Sequence, residues 1–407
     1  MSRLTFSTLA ISGALVIFAT SHGQSQSGAD GQAIFRFDTF GDEQLWTDVL
    51  QMQKVISTVS PATALAVGLK VDSDALPPAV INAIKAGQVN LNDPAVTIEL
   101  LKLNAVIGVS GKVAADNTLT SIGVTCALCH STVDNSVATG IGRRLDGWPN
   151  RDLNVGLIIS LSPAIPAPSV PPTPGALDKS VFQSWGPGKF DARLHFFDGT
   201  NFHPLFSPTD PAVIAPAFGL KGVGFETYTG DGVISYWNNY VGVTQMGGHG
   251  SFNDPRIGVF VTQTPDLVTP ELPALLKYQL SLKTPSPPKG SFNEEAAERG
   301  KKLFKGAAGC ARCHQGPLFT DVLSGPNPNV PFLHSALEEG QDPVYAARSA
   351  TKAYRTTPLR ALWQHPPYFH DGSAPDLLAV VNHYNTQFHL NLADQQKADL
   401  VEYLKTL

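Results

Sequence analysis

"GVTCALCHST" (residues 123–132) and "GCARCHQG" (309–316) set two cysteines and a histidine in one order, Cys126-x-x-Cys129-His130 and Cys310-x-x-Cys313-His314. The chain has 4 cysteines in 407 residues, and this pattern uses all of them. Three chemistries use cysteine pairs at this spacing. An exported protein can close disulfides. Two C-x-x-C pairs can hold a zinc ion. Each C-x-x-C-H can attach a c-type haem through two thioethers, with the histidine as proximal iron ligand. Only the third chemistry requires a histidine directly after each second cysteine. The chain has just 11 histidines, so chance does not account for meeting that requirement twice. The reading is two covalent haems, held by Cys126, Cys129, Cys310 and Cys313, with His130 and His314 on the irons.

The length allows two ordinary domains and a sizeable core. A net charge of −5 without long charge runs excludes a nucleic-acid binder. The 36 glycines and 32 prolines point to long ordered loops. At the N-terminus, "MSR" is a short positive start and "LTFSTLAISGALVIFAT" an uncharged apolar run. Ser21 and Gly23 are small residues at the −3 and −1 spacing of a cleavage site, so residues 1–23 read as a signal peptide. The run is shorter than the roughly 20 residues of a spanning helix, which favours cleavage over anchoring. The expected location is the periplasm, and covalent haem attachment outside the cytoplasm fits export.

Outward from Cys310, "SFNEEAAERGKKLF" (291–304) predicts a helix, with Ser291 and Glu294 as a capping box. Ala296, Gly300, Leu303 and Phe304 form its apolar face. "NLADQQKADLVEYLKTL" (391–407) predicts a second helix with a stripe of Leu400, Leu404 and Leu407. A helix just before C-x-x-C-H and another at the chain's end resemble a small class I cytochrome c domain, in which the two helices cross and Gly300 permits close contact. "KTPSPPKGS" (283–291) is a proline-rich connector. The expected division is an N-terminal haem domain over 33–282, a connector over 283–290 and a cytochrome c domain over 291–407. "DEQLWTDVLQMQKVI" (42–56) predicts a helix with Leu45, Val49, Met52 and Ile56 on one face, and "SPAIPAPSVPPTPG" (162–175) an ordered surface loop.

"RTTPLRALWQHPPYFHDGSAPDLLAVVNHYN" (355–385) carries the family resemblance. Thr357-Pro358-Leu359-Arg360, then Pro367-Tyr368-Phe369-His370-Asp371-Gly372, then a helix, resemble the C-terminal haem domain of bacterial dihaem cytochrome c peroxidases and MauG-like proteins. The resemblance covers roughly 280–407; over 33–250 only the haem motif and the general layout match. It implies a mainly α fold, two cytochrome c-like haem domains with long irregular loops and little sheet. A faint echo of the same series, with Gly230-Asp231-Gly232 opposite His370-Asp371-Gly372, lies in 216–243.

Function turns on the sixth ligands, because an iron with both axial sites filled only passes electrons. Where the peroxidases have a methionine after the His-Asp-Gly turn, this chain has Tyr384, as MauG-like proteins do. Tyr384 is the first candidate at haem 2, with His383, His389 and His334, or no protein ligand, as alternatives. At haem 1 the peroxidases' displaceable histidine corresponds to Asp146. Met246, in "TQMGGHGSF", is the first substitute there, then His249, with His195, His203 or an open site also in view. The peroxidases' proton-moving glutamate corresponds to Asn238, which cannot act as a base. Trp148, Trp185, Trp237 and Trp363 are candidates for a path between haems, and Arg143 and Arg144 for propionate partners or surface ion pairs.

The expected function is an exported dihaem oxidoreductase with hydrogen peroxide as acceptor and a small redox protein as electron donor. The alternative is a pure electron-transfer cytochrome with both irons six-coordinate. A gas or redox sensor would need an output domain that no segment suggests. The resemblance adds calcium and a homodimer as further expectations, with no calcium ligand or catalytic residue assigned.

Overall fold

The structure is a computed structural model that describes residues 30–169 and 175–407. The predicted signal segment 1–23 and part of the 162–175 loop lie outside the described residues. Among these residues, no helix is long and apolar enough to cross a membrane. Short helices alternate with seven two-stranded sheets, so helix dominates and sheet is fragmentary. Two main apolar cores form: one runs from Ile34 to Leu275, the other from Phe304 to Leu404. Cys126 and Cys129 border the first core, and Cys310 borders the second.

The second core is built on the crossing of helices Glu294–Lys305 and Asp394–Leu404. Glu294 and Glu295 open the first of these and Lys302 and Lys305 close it, matching the helix dipole at both ends. Its cap is Asn293, whose side chain accepts from Ala296 N at 2.9 Å, so the expected Ser291–Glu294 box does not form. Asn293 also caps well and stands closer to the first helical turn. Gly300 lies at the crossing as expected. A Cβ added there would stand 2.0 Å from the carbonyl oxygen of Asp399.

The expected helix over 42–56 is broken. Gln44–Val49 winds as a π-helix, Gln51 takes a left-handed conformation (φ 55°), and Met52–Ile56 resumes as α-helix. The break turns Leu50 inward beside Leu45 and Met52, so three side chains reach the core where an unbroken helix would present one stripe.

Buried ion pairs tie the two portions together. Arg348 binds Asp191 at 2.7 Å and Arg355 binds Glu226 at 2.8 Å. Asp231 pairs with Arg193 and also accepts from Thr351 N at 3.2 Å. Losing one partner of such a pair leaves a buried charge uncompensated, at a cost of about 3–5 kcal/mol.

The close helix crossing yields a direct expectation. Gly300→Ala should lower the thermal midpoint, by an amount equivalent to about 1–3 kcal/mol, because the neighbour in the way is backbone and cannot rotate aside. Calorimetry against wild type checks this; an unchanged midpoint would show that the helices separate freely.

Candidate haem sites

The hairpin of Val109–Val113 and Leu119–Val124 delivers the chain to the first Cys-x-x-Cys-His turn. Cys126 caps a one-turn helix, Ala127–His130. Gly108 (φ +76°) lies so close that an added Cβ would stand 2.1 Å from Leu128 N, so only glycine lets the loop press against the turn. Gly147 N donates to His130 O at 2.8 Å and Asn150 N to Cys129 O at 2.9 Å. These bonds satisfy carbonyls at the end of the turn. His130 Nδ1 lies 3.1 Å from Ala215 O.

The second turn repeats this arrangement with different neighbours. Gly309 (φ +66°) precedes the 3₁₀ turn Cys310–Arg312, and His314 Nδ1 lies 3.0 Å from Phe319 O. In each motif a backbone carbonyl fixes the Nδ1–H tautomer, which leaves the Nε2 lone pair for a metal. Burial lowers the pKa of both imidazoles, His130 to about 4, so both rings are neutral as metal ligation requires.

All four cysteines are free, so no disulfide forms among them. Burial pushes Cys126 and Cys129 up to about 12 and Cys310 and Cys313 up to about 11, so the thiols stay protonated near neutral pH. A shared zinc site is not realised. Among the described residues, the one metal-like cluster holds a single cysteine: Cys313, with Asp321 and His334. Both nitrogens of His334 are already bonded, to Asp321 and Glu338, each at 3.0 Å.

The same bonds bear on the haem 2 candidates. Asp321 first, and then Glu338, raise His334 to about 9, so it is a cation without a lone pair for iron. His383 directs Nε2 to Glu339 O at 2.8 Å, and His389 is exposed. Tyr384 sits on helix Leu377–Gln387, with Glu339, Cys313 and Cys310 among the ionisable neighbours of its phenol. Phe388 stacks on its ring at 5.8 Å, with Phe369 edge-on at 5.9 Å. Its hydroxyl has no hydrogen bond to the described residues. Burial raises its pKa well above the ordinary value, so the phenol is neutral unless a cation offsets that burial.

Around the first motif, Met246 is buried in the larger core with its backbone carbonyl accepting from Trp46 Nε1 at 2.9 Å. It therefore packs well, against the expectation that a glycine-rich loop would leave it little to pack on. His249 Nδ1 lies 2.6 Å from Pro265 O, and His203 pairs with Asp198 at 2.5 Å on an outer hairpin. His195 is different: it is buried between Phe182 and Phe202, lowered to about 4 by burial, and its Nδ1 has no partner among the described residues. Asp146 holds Arg36, Tyr278 and Ser131 together at 2.6, 2.5 and 2.8 Å. Asn238 is locked in a reciprocal amide pair with Gln279.

The sequence echo has a counterpart in three dimensions. Strands Phe225–Glu226 and Gly232–Val233 flank Gly230-Asp231, and a bridge between Tyr368 and Ala374 flanks His370-Asp371-Gly372. A helix follows each turn.

Sequence reasoning missed the most telling polar groups. Arg151 Nε and Nη1, Arg360 Nη2, Trp363 Nε1 and Gln364 Nε2 are buried donors without partners among the described residues. They lie on two facing loops, joined by an edge-on contact of Trp148 and Trp363 at 5.8 Å and by the charge of Arg151 acting on His365. Burial lowers Arg360 to about 10. Unpaired guanidinium groups are costly to bury unless an anion arrives. Haem propionates are such anions, so the donor set fits the group that the cysteine turns imply. Arg143 and Arg144, by contrast, are held in ion pairs with Asp134 and Asp72. Arg360 stood in plain view inside the Thr-Pro-Leu-Arg motif; Arg151 had only its nearness to Trp148 to mark it.

The charged His334 gives a pH prediction. Its pKa in the fold exceeds the ordinary 6.5, so its ion pairs stabilise fully below pH 6.5 and lose that effect as pH rises through about 9. In thermal melts, His334→Gln should be less stable than wild type at pH 6, with the gap narrowing by pH 10. A constant gap would contradict the assignment of charge.

No family profile matches the chain. The chain is 31% identical over 214 residues to hydrazine synthase subunit gamma of Kuenenia stuttgartiensis, covering 44% of this chain and 59% of that one. It is 34% identical over 128 residues to the methylamine utilization protein MauG of Methylorubrum extorquens, covering 27% of this chain and 34% of the relative. It is 32% identical over 145 residues to the cytochrome-c peroxidase IdrP2 of a Pseudomonas species, covering 27% and 39%. The matches thus span about a third to three-fifths of these relatives' lengths. With two Cys-x-x-Cys-His turns built alike and relatives of these kinds, the chain is similar, over part of its length, to MauG and cytochrome-c peroxidase proteins.

Proposed function

We propose that the protein is an exported dihaem oxidoreductase that takes electrons from a small redox protein and delivers them to hydrogen peroxide. The observation that carries this is the duplicated attachment turn, each with its histidine held through Nδ1 so that Nε2 is left for iron. Bound haem supplies the redox-active iron at which peroxide is reduced. In this reading Cys126 and Cys129 tether one group and Cys310 and Cys313 the other, in two haem domains over 33–282 and 291–407. Arg151 and Arg360 receive propionates. Trp148 and Trp363 form a packed aromatic route between the portions that carry the two turns.

Tyr384 is the residue that favours an enzyme over a simple relay. Its hydroxyl makes no hydrogen bond to the described residues and desolvation raises its pKa, so a phenolate there is stable only against a strong cation such as ferric iron. Met246 remains the candidate axial donor at haem 1, with His195 added by its unpartnered Nδ1. Calcium binding and a homodimer stay part of the reading without residues assigned to them.

Low-temperature EPR on the oxidised protein tests the ligand set. Tyr384→Phe should change one of two haem signals and leave the other intact; no change would remove Tyr384 from iron. Trp148→Phe should slow peroxide turnover by about tenfold or more, equivalent to about 1.4 kcal/mol, with both haem spectra unaltered. If turnover is unaffected, electrons take another route. If wild type consumes no peroxide in either redox state, the electron-transfer cytochrome becomes the better reading.

A further inference from the structure

Behind the first attachment turn lies a cavity of about 80 Å³, walled by Trp46, Leu100, Val106, Leu128, Val155 and Ile158 among other apolar side chains. None of the cysteines or histidines of either motif lines it. Leu128, between Cys126 and Cys129, faces it, so the cavity lies on the opposite side of the turn from the tethering side chains.

Three lining residues carry polar side-chain atoms, and all three have them engaged: Trp46 Nε1 donates to Met246 O at 2.9 Å. Thr97 Oγ1 donates to Val59 O at 2.6 Å. Lys70 lends its aliphatic stem, while its ammonium is tied to Asp152 at 2.5 Å. A water inside would therefore find no hydrogen-bond partner, although it needs two to four. Dry apolar cavities of about 150 Å³ bind benzene or xenon, so one roughly half that size suits a single xenon atom or a diatomic gas.

We infer that this cavity is a binding site for one small apolar molecule, a dissolved gas of the size of dioxygen, held against the back of the haem 1 attachment turn. The contacts are dispersive, so the site selects by size and lack of polarity. It depends on no assignment of iron ligands, and its failure would leave the oxidoreductase reading untouched.

Crystals of the haem-loaded protein under xenon pressure test it. The expected result is one xenon atom enclosed by Leu100, Val106, Leu128 and Val155. Ala64 also lines the cavity on helix Pro61–Ala66, and Ala64→Phe should fill the space and abolish that xenon while the haem absorbance and thermal midpoint confirm folding. Ala64→Leu serves the same purpose with a smaller side chain if the phenyl ring is not accommodated. In solution, the ¹²⁹Xe NMR shift should respond to wild type through this site and lose that response in the filled variant. A native crystal without xenon there, or an equal xenon response from the filled variant, overturns the inference.

Discussion

A half-buried imidazole whose Nδ1 is bonded to a backbone carbonyl is the constraint on which the rest of this fold depends. It occurs twice, at His130 with Ala215 and at His314 with Phe319. Each bond fixes tautomer and ring direction together, and burial keeps each ring neutral. The neighbouring elements follow from holding that geometry. Gly108 lets a loop press against the first turn, Gly309 lets the chain enter the second, residues 147–150 satisfy carbonyls of the first, and Phe304 and Phe319 wall the second.

Buried ion pairs join the portion that carries the first turn to the segment after the second. Arg348–Asp191, Arg355–Glu226 and Arg193–Asp231 are buried pairs that link segments distant in sequence. Such pairs add little net stability against apolar packing, yet each is costly to break singly, so they fix one relative placement. Beside them, Arg151 and Arg360 are left without carboxylates. The contrast distinguishes a junction that holds itself together from a surface prepared for an added anion.

What could be read from the sequence follows the range of each interaction. The Cys-x-x-Cys-His turns, the helix before Cys310 and the close crossing at Gly300 are local or motif-bound, and they were legible. The cap at Asn293 was misplaced by two residues because Ser291 and Asn293 are both good caps and only the backbone decides between them. The break at Gln51 was invisible, since the 42–56 pattern fits an unbroken helix equally well. Of the two roles open to Arg143 and Arg144, propionate partner or ion pair, the fold shows ion pairs with Asp134 and Asp72, whereas the unpartnered state of Arg151 is revealed only by long-range packing. Trp148 and Trp363 were named among four tryptophans, and only their meeting in space separates them from Trp185 and Trp237.

The central claim is that every cysteine of this chain is used to attach haem. The intact mass of the purified, denatured protein tests it most directly, because thioether-bound haem survives denaturation and extraction. The account predicts the mass of the processed chain plus two haems, with no free thiol left to alkylate. A mass with one haem or none, or alkylation of any of Cys126, Cys129, Cys310 and Cys313, would contradict it.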